Sequence, residues 1–281
     1  MTSTSNTRAV VLGGGGITGI SWEIGIIAGL ADGGIDLTNA DALYGTSAGS
    51  FTAALIASGE DMETRYRAQF EPDETEVTVA MSTDIIEAYT AAITQNYGRA
   101  VPLARAFGRI AMAAETISPE RRLEVVKARL GISDWPDDRL HMTAIDAETG
   151  ELVVLDRSSG LTLTEAANAT GAVPGIWPMV EAGGRKWIDG GMLSPANPQL
   201  AAGYDSAIII APAPESSGGF PSVDQTAAEL RAAGGLVTVI VPNSDAIDAI
   251  GPNPFDISRR GGCAEAGRRQ GLAAATAVTG W

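Results

Sequence analysis

Tyr44-Gly45-Thr46-Ser47-Ala48-Gly49 is a G-x-S-x-G, set between an apolar stretch and a run of small residues with helical spacing. The pattern asks for a sharp strand-to-helix turn that lifts one hydroxyl clear of the backbone. Gly45 and Gly49 have a physical task in it, since crossing backbones leave no room for a bulky Cβ. The helix that follows aims unpaired N–H groups and its positive dipole end back at Ser47. An exposed serine beside such donors is what acyl transfer requires.

Working outward, Arg8 to Leu12 reads as a short buried strand that ends in Gly13-Gly14-Gly15-Gly16. From Gly19 to Leu30 the apolar residues Ile20, Ile24, Ile27 and Leu30 recur at helical spacing. Ala42 to Gly45 reads as a second strand and Ala48 to Ser58 as a small-residue helix. Strand–helix–strand–helix is the opening of an α/β fold whose strands run parallel.

Residues 59 to 135 change character, and their mixed helical periodicity (Ile85, Ile86, Tyr89, Ile93) predicts a helical insertion over one edge of the sheet. His141 to Ile145 and Leu152 to Leu155 flank a polar, glycine-containing link, which is a hairpin pattern. Thr162 to Thr170 reads as a short helix, and Lys186 to Ile188 as a strand that runs into Asp189-Gly190-Gly191. Ala207 to Ile210 and Leu236 to Val241 read as buried strands around a helix from about Ser222. Ser258 to Thr276 reads as a closing helix, and Asp245, Asp248 and Asp256 as surface loop. With neither repeats nor a low-complexity linker, residues 1–281 are expected to form a single domain.

Composition removes several functions. The net charge is −15, from 34 acidic and 19 basic residues, which argues against nucleic acid as a partner because phosphate neutralisation needs clustered cations. It also disfavours residence on an anionic bilayer, leaving solubility as the plain reading of the acidity. No run of about 18 apolar residues predicts a membrane-spanning helix. The four glycines after Leu12 break the first apolar run, as no secretion signal would, so a cytoplasmic location is expected. Cys263 and His141 are each the only residue of their type, so neither a disulfide nor an ordinary metal site is expected.

Three small-residue motifs then stand at element ends: the 13–19 glycine run, the serine turn and Asp189-Gly190-Gly191. Gly14, Gly16 and Gly19 satisfy G-x-G-x-x-G, which read alone suggests a dinucleotide-binding oxidoreductase with Asp36 as its ribose acid. The rival reading is that the same backbone amides cradle an oxyanion. Only the rival also accounts for the serine turn and for Asp-Gly-Gly.

A nucleophilic Ser47 needs a base within reach. In the Ser–acid–His order of an α/β-hydrolase, His141 would need its acid between residues 48 and 140, where none stands in a motif. His141 also opens a strand, a place for a structural imidazole. Asp189, glycine-flanked and ionised at neutral pH from a reference pKa of about 3.9, is the remaining base. Bland alternatives accompany each motif: a packing turn for Ser47, a turn aspartate for Asp189, core or pocket wall for Trp177 and Trp187. The Arg99–Arg105–Arg109 segment reads as a helix with one solvated side, and alternatively as a cap that touches lipid headgroups.

With these residues in place, the chain resembles the patatin-like phospholipases. Four segments carry the likeness, in the family's order: Gly13 to Gly19, Gly45-Thr46-Ser47-Ala48-Gly49, Ala172-Val173-Pro174-Gly175-Ile176-Trp177-Pro178, and Asp189-Gly190-Gly191. The resemblance implies a three-layer α/β/α fold with a mainly parallel sheet and a Ser47–Asp189 dyad. It also implies an oxyanion hole from the loop of Gly14, Gly15, Gly16 and Thr18, with Gly19, Gly45, Gly49, Gly190 and Gly191 as motif glycines. The implied reaction is cofactor-free hydrolysis of a fatty-acyl ester, of phospholipase A or esterase type, through an acyl-serine. Its implied partner is an acyl lipid or ester, met transiently at a membrane or micelle surface. Two departures bear on substrate class: Thr18 stands where many members carry Arg or Lys, and Ser194 where many carry Asn. A catalytically inactive lipid-binding protein of the same fold is the other reading the resemblance allows.

Overall fold

The computed structural model describes residues 6–281. Its first half builds β1 (Arg8–Leu12), α1 (Gly16–Asp32), β2 (Ala42–Thr46) and α2 (Ala48–Ala57). Then come α3 (Met62–Arg67), α4 (Thr83–Gln95), α5 (Ala100–Ala113) and α6 (Pro119–Leu130). The second half adds β3 (Leu140–Asp146), β4 (Leu152–Leu155), α7 (Leu163–Thr170), β5 (Val180–Ala182) and β6 (Arg185–Asp189). It closes with β7 (Ser206–Ile210), α8 (Val223–Ala232), β8 (Leu236–Ile240), α9 (Ser244–Ile250) and α10 (Arg260–Ala274).

One sheet gathers all the strands in the order β5-β6-β3-β2-β1-β7-β8, with β4 also paired to β3. The ladders among β3, β2, β1, β7 and β8 are parallel, and β4, β5 and β6 pair antiparallel. Alternate side chains divide the core by face, as the period of two in a strand requires. Val10, Leu12, Leu43, Met142, Ala144 and Ile208 pack with α1, α2, α7 and α10. Val11, Ala207 and Ile209 pack with α8 on the other face, while Ile145 and Ile188 meet Leu103 and Phe107 of α5 there. The result is a three-layer α/β/α sandwich.

The 59–135 segment is helical, and its helices divide among three places. The α4–α5 pair lies over the β3/β6 end of the sheet, α3 packs on α1, and α6 packs on α2 and α7. Three expectations need correction. The first helix begins at Gly16 rather than Gly19, because the glycine run supplies its first turn. Leu236 to Ile240 is an edge strand rather than a buried one: its only ladder is to β7, and Leu236 is 48% exposed. Asp245 and Asp248 sit on α9 rather than in a loop. The Asn243 side chain caps that helix by accepting the Ala246 N–H at 3.0 Å.

Small residues set how closely α1 and α10 approach. A Cβ placed on Gly25 or Gly29 would come within 2.1 Å of the carbonyl oxygen of Ala264 or Arg268. Reciprocally, one on Gly267 or Gly271 would come within 2.3 Å of the oxygens of Trp22 or Ile26. Backbone therefore rests on backbone, and neither side can yield by a rotamer change. Gly29→Ala is expected to lower stability by about 3 kcal/mol through overpacking, read as a fall in the urea midpoint. Gly262, on α10 with open space around it, is the control. Gly262→Ala is expected to gain about 0.5–1 kcal/mol from helix propensity.

Candidate active site

Register along β3 explains how two motifs 142 positions apart meet. Thr143 pairs with Thr46 at the end of β2, and the next residue, Ala144, pairs with Asp189 at the end of β6. Met142 pairs with both Gly45 and Leu155, and Ala144 with both Val153 and Asp189, so β4 holds the opposite edge of β3. Hence β2 and β6 run toward each other along one edge of β3. Their ends, Thr46-Ser47 and Asp189, meet head-on.

Ser47 caps α2 with φ 52° and ψ −118°, one of two described non-glycine residues at positive φ. Holding a serine there costs on the order of 1–3 kcal/mol, and the surroundings must enforce it. They do so through backbone contact. A Cβ on Gly45 would lie 2.4 Å from the Ser50 Cα, and one on Gly49 would lie 2.2 Å from the Leu12 oxygen. The Gly49 N–H donates to the Gly13 oxygen at 3.0 Å, and the Ser47 N–H donates to Thr170 Oγ1 at 2.9 Å.

Asp189 is 3% exposed. Its Oδ1 accepts the Gly191 N–H at 2.7 Å, while Oδ2 has no partner at bonding distance. Burial pushes its carboxyl up to about 6; the nearby Ser47 hydroxyl, the Gly191 N–H and the Arg122 charge hold it from rising further. The Ser47 hydroxyl favours the carboxylate, although no hydrogen bond joins it to Oδ2. Gly190 is glycine because a Cβ would lie 2.4 Å from the Thr143 oxygen.

The glycine loop is divided in its hydrogen bonding. Gly14 donates its N–H to the Pro195 oxygen at 2.7 Å, and Thr18 donates its N–H to the Pro254 oxygen at 3.1 Å. Those two amides are spent, which removes Gly14 and Thr18 from the expected set of oxyanion donors. Gly14 instead supplies space, since a Cβ on it would stand 3.3 Å from the Ser47 Cβ. The amides of Gly15 and Gly16, at the N-terminus of α1, remain unpaired within the described protein. Gly16 has φ 62°, and a Cβ there would strike the Pro254 oxygen. That carbonyl also takes the Thr18 N–H, a first-turn amide that a pyrophosphate would use, which counts against the dinucleotide reading. Thr18 is fully buried and ties the loop down by its Oγ1, 3.4 Å from the Gly15 oxygen and 3.3 Å from that of Pro254. A hydroxyl and an amide here anchor the loop at the position where many members of the resembled family carry a cation.

Other residues the sequence motifs did not flag complete the site. Thr170 Oγ1 receives the Ser47 N–H and the Ser50 hydroxyl, while the Thr170 carbonyl receives the Gly190 N–H at 3.3 Å. Asn197 Nδ2 donates to Thr46 Oγ1 and to the Gly190 oxygen, both at 3.1 Å, bracing the two strand ends together. Ser194, where an Asn was the family expectation, accepts the Asn197 N–H at 3.3 Å. Tyr89 of α4 donates its hydroxyl to the Pro174 oxygen at 2.8 Å, and burial with the nearby Asp189 charge raises its pKa. His141 takes no part: it stacks on Tyr44 at 4.8 Å between ring centres, and burial lowers its pKa. Among the described residues no cluster of three or more His, Cys, Asp and Glu could hold a metal ion.

The model of the family described as patatin-like phospholipase matches residues 10–202, a span that contains the glycine loop, Ser47 and Asp189. The chain belongs to the patatin-like phospholipase family. Among solved structures, this patatin-like chain is similar to VipD from Legionella pneumophila, with 14% identity and a TM-score of 0.47. It is also similar to the type III effector protein ExoU, with 15% identity and a TM-score of 0.46. Each comparison covers 97% of this chain, but 67% of VipD and 53% of ExoU, so the chain spans about half the length of ExoU. A search of curated proteins finds no match.

Proposed function

We propose that this patatin-like protein is a serine lipid acyl hydrolase that cleaves fatty-acyl esters through Ser47 and Asp189. The observation that carries the reading is the meeting of the β2 and β6 ends on one edge of β3, which brings a half-buried serine toward a buried carboxylate. In the first half-reaction, Ser47 Oγ attacks the acyl carbonyl carbon and its proton passes to Asp189 Oδ2. The Gly15 and Gly16 amides, with the α1 dipole behind them, take the charge on the carbonyl oxygen. Collapse of the tetrahedral species expels the alcohol, which takes the proton from Asp189 and leaves an acyl-Ser47. Asp189 then accepts a proton from a water molecule whose oxygen attacks the acyl carbon, and the carboxylic acid departs as Ser47 regains its proton.

A cavity of about 300 Å³ adjoins the Asp-Gly-Gly turn, walled by Gly190, Ile145, Leu152, Leu193 and Phe220. Its size and its Ile145–Leu193–Phe220 wall suit a single acyl chain, while Ser194, Asn197, Gln199, Thr226 and Glu229 make the rest of the lining polar. We read residues 1–281 as one acyl-hydrolase domain, with 59–135 as helices added to it. Among the described residues no helix is long and apolar enough to cross a membrane.

Hydrolysis of a p-nitrophenyl ester series from acetate to palmitate tests this reading. Turnover is expected to rise from acetate to a medium chain, with release of the free acid and no added metal or nucleotide. Binding of acyl-lipid vesicles without release of any acid would instead favour the inactive lipid-binding reading.

A further inference from the structure

Arg122 of α6 is 1% exposed, and two of its guanidinium nitrogens, Nε and Nη1, have no hydrogen-bond partner. Burying a cation in this way is costly, and a structural arginine would ordinarily be fully paired. Its third nitrogen, Nη2, donates to the Gly171 oxygen at 3.4 Å, and its guanidinium lies over the Trp177 ring, 4.1 Å from the centroid. Gly171 is the middle of a strap that touches both halves of the dyad. Thr170 holds the Ser47 amide and the Gly190 amide, and the Ala172 oxygen accepts the Asp189 N–H at 3.0 Å.

The surroundings also supply a charge pattern. Arg129, two helical turns further along α6, is held by Glu76 through two bonds of 2.7 Å, so that carboxylate is already committed. Arg129 repels Arg122, while Glu76 and Asp189 attract it. Burial, and after it the Arg129 charge, draws the Arg122 pKa well down from the ordinary arginine value, but that value starts above about 12 and the guanidinium stays charged at neutral pH. The groups acting on Asp189 are the Ser47 hydroxyl, the Gly191 amide and Arg122, with the Tyr89 hydroxyl nearby. Arg122 is the cation among them.

We propose that Arg122 is a positioning residue for the dyad: it clamps the 170–172 strap that holds the Ser47 and Asp189 backbones and keeps a buried positive charge behind them. The proposal rests on the reading of Asp189 as the base. It assigns the α6 helix, in the sequence merely part of an insertion, to the electrostatics of the reaction.

The test reads Asp189 directly, without relying on turnover. Protein labelled with carbon-13 at the aspartate carboxyls is titrated by NMR, and the Asp189 resonance is identified by its loss in Asp189→Asn. Wild type is compared with Arg122→Met, Arg122→Gln and Arg122→Lys. In the two neutral variants the Asp189 midpoint is expected to rise by about one pH unit, and in Arg122→Lys to stay within about half a unit of wild type. The pH dependence of kcat/KM should follow. The neutral variants would lose about fivefold at pH 6 and recover to within about threefold of wild type at pH 9. An unmoved midpoint in folded Arg122→Met or Arg122→Gln overturns the proposal, as does a loss of turnover equal at every pH. So does failure of both neutral variants to fold while Arg122→Lys folds, because the charge would then serve the fold alone. A wild type that titrates as described yet hydrolyses no ester leaves the Arg122–Asp189 coupling standing and defeats the hydrolase reading instead.

Discussion

Ser47→Ala is expected to lower kcat/KM for an acyl ester by at least about 10⁴-fold while the fold persists. The magnitude follows from removing the only atom that bonds to the substrate: without Oγ no acyl-enzyme forms, and only oxyanion stabilisation and binding remain. Persistence of the fold follows from the contacts around the residue. What holds the turn is the Ser47 N–H on Thr170, the Gly49 N–H on Gly13 and the backbone contact of Gly45 and Gly49, and none involves the hydroxyl. Alanine at φ 52° carries a steric cost comparable to serine's, so the thermal midpoint should move by no more than a few degrees. Steady-state kinetics together with a thermal melt check both halves. A variant that retains more than a tenth of wild-type turnover would remove Ser47 from the chemistry.

Asp189→Asn is expected to abolish turnover and stabilise the protein at the same time. As general base, the carboxylate is worth on the order of 10³-fold or more at pH 8, where it is fully ionised. Wild-type kcat/KM should therefore show an acid limb with a midpoint near 6, the value to which burial pushes the group. The stability effect has the opposite sense. The folded carboxyl titrates above the roughly 3.9 of an unfolded aspartate, so the native state binds the proton more tightly. Its stabilising contribution is fully present below about pH 4 and is lost as pH rises through 6. At pH 7 the ionised, buried Asp189 then costs about 2–3 kcal/mol that the neutral amide does not. Asparagine keeps the acceptor for the Gly191 N–H, so the variant should be more stable than wild type at pH 7 and converge with it near pH 4. Urea titrations at both pH values check this, and equal stability of the two proteins at pH 7 would contradict it.

Much of this arrangement was legible because its causes are local. G-x-S-x-G announces its own turn, and the capping residues Thr162 and Ser222 announced α7 and α8 within a residue. What the sequence left hidden depends on distant partners. That Thr18 and Gly14 spend their amides follows from the Pro254 and Pro195 carbonyls, brought in from more than 180 residues away. That β8 is an edge strand follows from sheet order, which composition does not encode.

Two further features of the sequence carry structural information of their own. Val180–Ala182 and Arg185–Asp189 flank Gly183-Gly184, whose φ values of 59° and 72° make the two-residue hairpin turn that such a pair prefers. Arg122 shares helical spacing with the buried Val125, Val126 and Leu130, which places a cation on the apolar stripe of α6. A charged residue on a buried stripe is the kind of local inconsistency that marks function.

Mass spectrometry of the protein after reaction with a fluorophosphonate tests the central claim most directly, because the probe reacts fastest with an activated serine beside an oxyanion hole. The account predicts a single adduct, carried on the peptide containing Ser47, absent from Ser47→Ala and formed far more slowly by Asp189→Asn. Folded wild type that forms no adduct, or an adduct on another residue that survives Ser47→Ala, would contradict it.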